Sequence, residues 1–505
     1  MTTAALPLRL FSAPAKRTGL GPDDRALLAT YARDTWRSIA ASADRGELPD
    51  DTLRLTESGW VASGLTSPTN IGAYLWSTVA AEDLRLISRI EADQRLGRTL
   101  AALARLERVH GFFFNWYNTR TGSKVLIWPG GVPVRPFLST VDNGWLAAAL
   151  MIVGNTWPEY RKITDALLAP MDFGFFYSPR RGANSGDNPG LLRGGYWPDD
   201  GTYTGFHYGM LNTEPRIASY IGIARGDLPG EHYYRMARAG PAPSAVFGSP
   251  TRIYSGVSVV EGSQKYLGRR VVPSWDGTMF EALMVPLFVP EAEWAPRSWG
   301  RNHPLYVQAQ IEYGLLDARL GYWGLSAALD PVGNYSAFGV AGIAAGSFCN
   351  PAPSEPQGIV TPHASFLALP FAPREALANL RALTDEFPAY GPYGFFDTVD
   401  VVTGRVSDAV LVLDQGMILA ALSQAIGGDV LRQGFCAGAI EEAIRPLIAP
   451  ERFEAGADPP SILRLARPAP WSADAAGFSN PSGPKALPGP SPSTKVRRRL
   501  RRSAE

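Results

Sequence analysis

Seven acidic side chains stand in segments crowded with aromatic rings and amides. They are Asp142 in STVDNGW, Glu214 in HYGMLNTEPR, Asp276 and Glu281 in PSWDGTMFE, Glu312 in AQIEYG, Asp397 in YGFFDT and Asp414 in LVLDQGM. Such company suits a carbohydrate, because sugar faces stack on indole and phenol rings while hydroxyls need polar partners. Breaking a glycosidic bond takes two carboxyl groups, one protonated to help the leaving oxygen depart and one ionised to activate water or attack the anomeric carbon. A separation of about 6.5–9.5 Å leaves room for water and inverts the anomeric centre, and about 5–5.5 Å gives retention. Glu214 lies near a helix start, where the dipole favours negative charge, so as a general acid it must gain a raised pKa from burial beside aromatics. Glu281 and Glu312 lie deeper in helical segments, which favours structural or sugar-binding roles. Taken singly, any of these carboxylates serves equally as a helix cap.

The same segments supply the polar and aromatic side chains that a sugar would meet. The candidates for binding are Asn115, Trp116 and Tyr117, then Asn143 and Trp145, His207 and Tyr208, Trp275, Glu281, Trp323, His363, Asp397 and Gln415. If the helix starts of one ring all point to one end of a barrel, Asp142, Asn143 and Trp145 line a shared cavity and lie outside the core.

Positioning these residues falls to a succession of helices. In PDDRALLATYARDTWRSIAASAD the apolar residues Leu27, Leu28, Tyr31, Ala32 and Ile39 recur at helical spacing. SPTNIGAYLWSTVAAEDLRLI and SRIEADQRLGRTLAALARLERV follow almost without a break, the second opened by a Ser88/Glu91 capping box, so the two pack as an antiparallel hairpin. Ser139 or Thr140 is placed to cap the helix that carries Asp142. About a dozen helices continue in this way to near residue 450, and RIYSGVSVVEG and GRRVVPSW read as small hairpins. Sequential helix pairs without a strict repeat suit two concentric rings of six better than a solenoid. The expected fold is all-α, an (α/α)6 barrel with small β-hairpins in its loops. Residues 1–22 form an irregular extension, 23–452 the helical domain, and 453–505 a Pro-, Ser- and Gly-rich tail with a basic end, expected to be disordered.

Composition narrows the partners. The 505 residues are 45% hydrophobic and 19% charged, enough for a large core, and a formal net charge of +1 supplies no global field toward nucleic acid. Two cysteines, Cys349 and Cys436, allow one disulfide and no cysteine zinc site, and five scattered histidines show no metal-ligand spacing. No metal, cofactor or membrane span is expected, since no apolar run approaches the ~20 residues a bilayer requires. The N-terminus lacks the pattern of a signal peptide, which gives a cytoplasmic expectation, with a secreted or periplasmic address open if the start lies elsewhere. A monomer acting on an oligo- or polysaccharide is expected.

Several segments carry a family resemblance: TSPTNIGAYLWSTVAAEDLRLIS, GFFFNWYNTRTG, LSTVDNGWLAAAL, NTEPRIASYIGIARG, GTMFEALMVPLF, YWGLSAA, TPHASFLALPFAPREALANLRAL, YGFFDTV and LDQGM. In this order, from about residue 23 to 450, they resemble the glucoamylase-like domain proteins, the group that includes the family 144 glycoside hydrolases, the endo-β-1,2-glucanases. The resemblance implies an (α/α)6 barrel and metal-free hydrolysis with inversion through paired acids. It implies Glu214 as a leading acid candidate, Asp142 at the subsite of cleavage and Asp414 as another carboxylate in the cleft; the expected mechanism has Glu214 as general acid with Asp142 or Asp414 assisting water. Ser139 stands where some β-1,2-glucanases carry an aspartate, three residues before the acidic position of that motif, and this leaves the base open. The expected function is hydrolysis of a β-linked glucan or related bacterial polysaccharide. The alternative is a non-catalytic glycan-binding protein with a degenerate cleft. A third reading is a lyase or epimerase of the same architecture; the scattered histidines disfavour the epimerase, and an eliminated product absorbing in the ultraviolet would mark the lyase.

Overall fold

The computed structural model describes residues 19–44, 46–179, 189–240, 248–346 and 358–457. These lie in the first of two compact units, Met1–Pro460; the second, Ser461–Glu505, lies outside the described residues. So do most of the N-terminal extension, nearly all of the proposed tail, and residues 180–188, 241–247 and 347–357, with Cys349 among them.

The described chain is mostly helical. Its helices are α1 (Pro22–Ser42), α2 (Pro68–Asp83), α3 (Arg89–Arg105), α4 (Thr140–Thr156), α5 (Arg161–Leu168), α6 (Arg216–Arg225), α7 (Glu231–Arg235), α8 (Met279–Leu283), α9 (Glu291–Trp294), α10 (Trp299–Glu312), α11 (Pro362–Ala368), α12 (Pro373–Glu386), α13 (Val412–Ile426), α14 (Val430–Cys436) and α15 (Ala439–Ile448). Two kinds alternate. α2 buries everything except Glu82 and Asp83, α11 is wholly buried, and α13 is buried from Asp414 through Ser423. By contrast α3, α12 and α15 bury one apolar stripe, such as Leu96, Leu100 and Leu103 of α3, and turn charged residues outward.

The buried helices touch in succession. α2 packs on α4 and α13, α4 on α6, α8 on α11, and α11 on α13, while Arg216 of α6 reaches the Glu281 and Ala282 carbonyls of α8. Glycine permits the closest approaches: a Cβ on Gly144 would meet the Ala218 Cβ at 2.8 Å, and one on Gly416 the Ala73 Cβ at 2.9 Å. Larger residues there would push α4 from α6 and α13 from α2.

Side-chain caps set where the buried helices begin. Ser67 accepts from the Asn70 amide, Ser139 from the Asp142 amide, and Thr278 forms a full capping box with Glu281. The box expected at Ser88/Glu91 is only half made. Ser88 caps the Glu91 amide, but the Glu91 carboxylate faces Arg95 at 3.0 Å, a partner one turn on. A 3-10 turn, Pro158–Tyr160, runs into α5.

Short strands tie the loops together. β1 (Thr52–Thr56) pairs antiparallel with β2 (Gly59–Ala62) and with the distant β5 (Ala409–Leu411), placing Thr52 opposite Leu411. β3 (Ala327–Leu329) and β4 (Tyr335–Ala337) form a hairpin with Leu329 opposite Tyr335. The expected hairpin in RIYSGVSVVEG is present as Thr251–Tyr254 against Val257–Val260. Among the described residues no helix is long and apolar enough to cross a membrane.

Candidate active site

The buried helices begin where the candidate carboxylates lie. Glu214 sits in the turn just before α6, half-buried, its carbonyl accepting from the Ile217 amide. Burial, and then the charge of Glu281, push its carboxyl up to about 8 against the opposing pull of Arg216. Arg216 cannot neutralise it, because every guanidinium N–H is engaged. Nε and Nη2 grip Glu291 at 2.8 and 3.0 Å, Nη2 also meets the Ala282 carbonyl, and Nη1 meets the carbonyls of Thr213 and Glu281.

Glu281 lies beneath this position, 6% exposed. Its carboxylate accepts from Ser274 Oγ at 2.7 Å, from the Asp276 amide at 3.0 Å and from Thr278 Oγ1 at 3.0 Å. Burial and the Asp276 charge still raise it to about 7. Burial, and then the charges of Glu214 and Asp142, push the Tyr208 phenol well up, and it bonds to Ser139. Asp142 is half-buried, and its Oδ1 accepts from Thr69 Oγ1 at 2.7 Å.

A second acidic group gathers at the start of α13. Asp397 accepts from the Leu329 amide at 2.7 Å and the Leu411 amide at 3.3 Å, yet burial lifts it to about 6. Asp414 is raised well above the carboxylate range by burial and then by the charge of Asp397, to which it is hydrogen-bonded. His363 Nδ1 stands 3.2 Å from Asp414, and burial lowers its imidazole to about 3, so it is neutral and lends no charge. Both Asp397 and Asp414 are buried.

The sequence reading passed over Asp51, which belongs to this group. Half-buried, it accepts from Asn70 Nδ2 at 2.7 Å and Thr52 Oγ1 at 2.6 Å, and its carbonyl accepts from the Val412 amide at 2.9 Å. Its charge acts on Asp397 and Asp414, and that of Asp142 acts on it. An acidic pair just before an alternating strand was its only signal, and that pattern is common. Tyr335, raised by burial and by the charges of Asp414, Asp397, Glu214 and Asp51, was missed too; no sequence pattern marks it.

Aromatic rings extend from both groups. Trp275, Tyr208 and Phe206 follow one another at centroid distances of 5.8 and 5.9 Å, with Phe206 exposed. Next to Asp397, Phe396 stacks on Trp60 at 6.1 Å.

Other expected binding residues lie elsewhere. Trp145 is 1% exposed and packs against Trp76 and Phe288, so it serves the core and does not line a cavity. Such aromatic contacts add about 0.5–1.5 kcal/mol each beyond area burial. Asn143 is buried in a structural bridge, accepting from the Phe113 amide and donating to the Phe113 and Ser139 carbonyls. Tyr117, Trp323 and Gln415 are buried as well: Tyr117 donates to the Glu107 carbonyl, Trp323 is bridged to Asn379, and Gln415 bonds the Phe395 carbonyl. Glu312 pairs with Arg269. Asn115, Trp116 and His207 keep accessible surface, and burial with the nearby Arg193 lowers the His207 imidazole. Two shallow hollows elsewhere, one lined by Met151, Asp165 and Arg225 and the other by Arg25, Asp83 and Arg85, contain none of the candidates. Among the described residues no three His, Cys, Asp or Glu side chains converge as a metal site.

Residues 239–433 match the Glycoamylase family model, described as "Putative glucoamylase", and residues 52–174 match DUF3131, a family of unknown function. The chain is 26% identical, over 75% of its length, to cyclic β-(1,2)-glucan synthase NdvB of Rhizobium meliloti (strain 1021), and spans 16% of that relative's length. Among solved structures it is similar to a Bacteroides caccae protein of the same glucoamylase description, with TM-score 0.62 and 18% identity, covering 84% of this chain and 98% of the other. It is similar also to the endo-β-1,2-glucanase of Chitinophaga pinensis, with TM-score 0.60 and 16% identity over 85% and 98% of the two chains. The endo-β-1,2-glucanase of Talaromyces funiculosus gives TM-score 0.58 at 13% identity over 86% and 94%. By family model and by fold alike, the chain resembles the glucoamylase-like proteins, as its motifs do.

Proposed function

We propose that this chain is a glycoside hydrolase of a β-linked glucan, working in the mouth of an (α/α)6 barrel. The barrel reading rests on the succession α2, α4, α6, α8, α11 and α13, each buried and each followed by a more amphipathic or more peripheral helix. Glu214 is the general acid and Asp142 the base. Glu214 gives its proton to the glycosidic oxygen as the bond to the anomeric carbon breaks. Asp142 takes a proton from the water that attacks the opposite face, so the configuration inverts. The observation that carries this reading is a half-buried carboxyl, raised to about 8, beside an arginine fully committed to another partner. Such an acid still holds its proton at neutral pH.

The endo-β-1,2-glucanases among the fold relatives, and the cyclic β-(1,2)-glucan synthase related in sequence, favour β-1,2-glucan as the first substrate to try.

Glu214→Gln should lower turnover of β-1,2-glucan by about 10²–10⁴-fold, the usual worth of a positioned acid, with its melting temperature kept. Proton NMR of the first product separates inversion from retention, and mass spectrometry separates hydrolysed from cyclic or elongated products. Wild-type turnover in the variant would end the assignment. Tight binding of glucan by the wild type without any bond broken would replace it with a glycan-binding role.

A further inference from the structure

Tyr335 is held with unusual firmness for so exposed a ring. Its cross-strand partner Leu329 is pinned at both ends, the amide donating to Asp397 Oδ2 and the carbonyl accepting from Thr398 Oγ1, each at 2.7 Å. The turn that follows is braced by Asp330. Its Oδ1 accepts from the Val332 and Asn334 amides at 2.9 Å, and its backbone bonds to Gly333 and Asn334. Gly333 takes φ +91°, which a side chain would strain, and the Arg54 guanidinium lies against it. The hairpin is therefore rigid on both sides of Tyr335.

Tyr335 leaves 58% of its surface accessible, and its side chain has neither a ring contact nor a hydrogen bond among the described residues. Leu329, directly across the hairpin, is hydrogen-bonded to Asp397, so the open side chain stands on the strand that borders the Asp397/Asp414 group. Burial, then the charges of Asp414, Asp397, Glu214 and Asp51, raise the Tyr335 phenol, in keeping with that position. A rigid aromatic face left open between two sets of hydrogen-bonding carboxyls matches a pyranose, which offers apolar C–H faces with hydroxyls around its edge.

We propose that Tyr335 contacts substrate: its ring is the platform on which one sugar unit lies between Glu214 and the Asp397/Asp414 pair. The inference rests on the proposed glucan-cleaving function and specifies how that site holds its chain.

The test is calorimetric titration of β-1,2-glucan oligosaccharides into the Glu214→Gln chain, alone and combined with Tyr335→Ala or Tyr335→Phe. Tyr335→Ala should weaken binding by about 10- to 100-fold, the scale of losing a buried ring. Tyr335→Phe, which keeps the ring, should bind within about threefold of the parent. In the otherwise wild-type chain, Tyr335→Ala should raise KM more than it lowers kcat, and circular dichroism melts should match. Equal binding by Tyr335→Ala overturns the platform while leaving the function intact. A loss in Tyr335→Phe as large as in Tyr335→Ala overturns it as well, because the hydroxyl would then be the contact. No glucan binding by the Glu214→Gln parent, together with no cleavage by the wild type, removes the functional reading and the platform with it.

Discussion

Glu214 and Glu291 both flank Arg216, and they meet burial in opposite ways. Glu291 is fully buried, and burial alone would raise it. The bidentate grip of Arg216, aided by Tyr220 at 2.7 Å and His303 at 3.1 Å, brings it down to about 2. Glu214, two residues before the same arginine, receives none of those donors and rises to about 8. One carboxylate keeps its charge by pairing and welds α6 to α9; the other keeps its proton and a face open to the outside. Desolvation without compensation is tolerated where a chemical use exists, and this contrast separates a structural acid from a reactive one more sharply than residue type can.

The largest effect should come from breaking the paired side. Arg216→Met strands the Glu291 charge in the core and should cost about 3–5 kcal/mol of stability, read from denaturant midpoints. Replacing Glu291 as well, in Arg216→Met/Glu291→Leu, should recover much of that loss, because no charge is then left unpaired. If the single variant were as stable as the parent, the two glutamates would not differ as described.

Titration sharpens the same contrast with a smaller effect. Glu214, Glu281 and Asp397 are raised to about 8, 7 and 6, so they favour the folded state fully below their unfolded values near 4. That contribution is lost as pH rises through 6 to 8. Glu291 is lowered, so its contribution is present above about 4.3 and lost as pH falls toward 2. Melting temperature should therefore peak in mildly acid buffer and decline toward pH 8 and beyond. Glu214→Gln should flatten the alkaline decline, while kcat/KM of the parent should fall above about pH 8 as the acid loses its proton.

Local features were legible in the sequence. Ser139 caps α4 as its position before the apolar run indicates, and the hairpin at 251–260 follows from alternation around Ser255 and Gly256. Asp142, Glu214, Asp276, Glu281, Asp397 and Asp414 were all visible as acids in aromatic company. What one chain could not reveal was which face of each helix start is wetted. Trp145 and Asn143 share a first turn with Asp142, yet they point into the packing with Phe288 and Phe113 while Asp142 keeps accessible surface. Successive helix positions point about 100° apart, which separates Asn143 from Asp142; Trp145, three residues on, shares the side of Asp142 but lies nearly a turn deeper, where Trp76 and Phe288 cover it. Asp51 was hidden for another reason. It reaches the acidic group only because β1 pairs with β5 more than 350 residues away, as Thr52 faces Leu411. Such long-range pairing leaves no local trace.

The smallest expected effect concerns that same residue and tests whether the two acidic groups act as one field. Asp51 raises Asp397 and Asp414 through space and is itself acted on by Asp142. Asp51→Asn keeps an oxygen to accept from Asn70 or Thr52, so the β1–α13 junction and the melting temperature at pH 5 should hold. Removing its charge lets Asp397 ionise at lower pH, which should make the variant more stable than the parent near pH 8. If the accessible carboxylates of both groups hold one glucan chain, kcat/KM should also fall, by about tenfold, the scale of one unit of carboxyl shift. An unchanged kcat/KM with the stability shift intact would confine Asp51 to electrostatics of the fold and leave Glu214 and Asp142 to act without it.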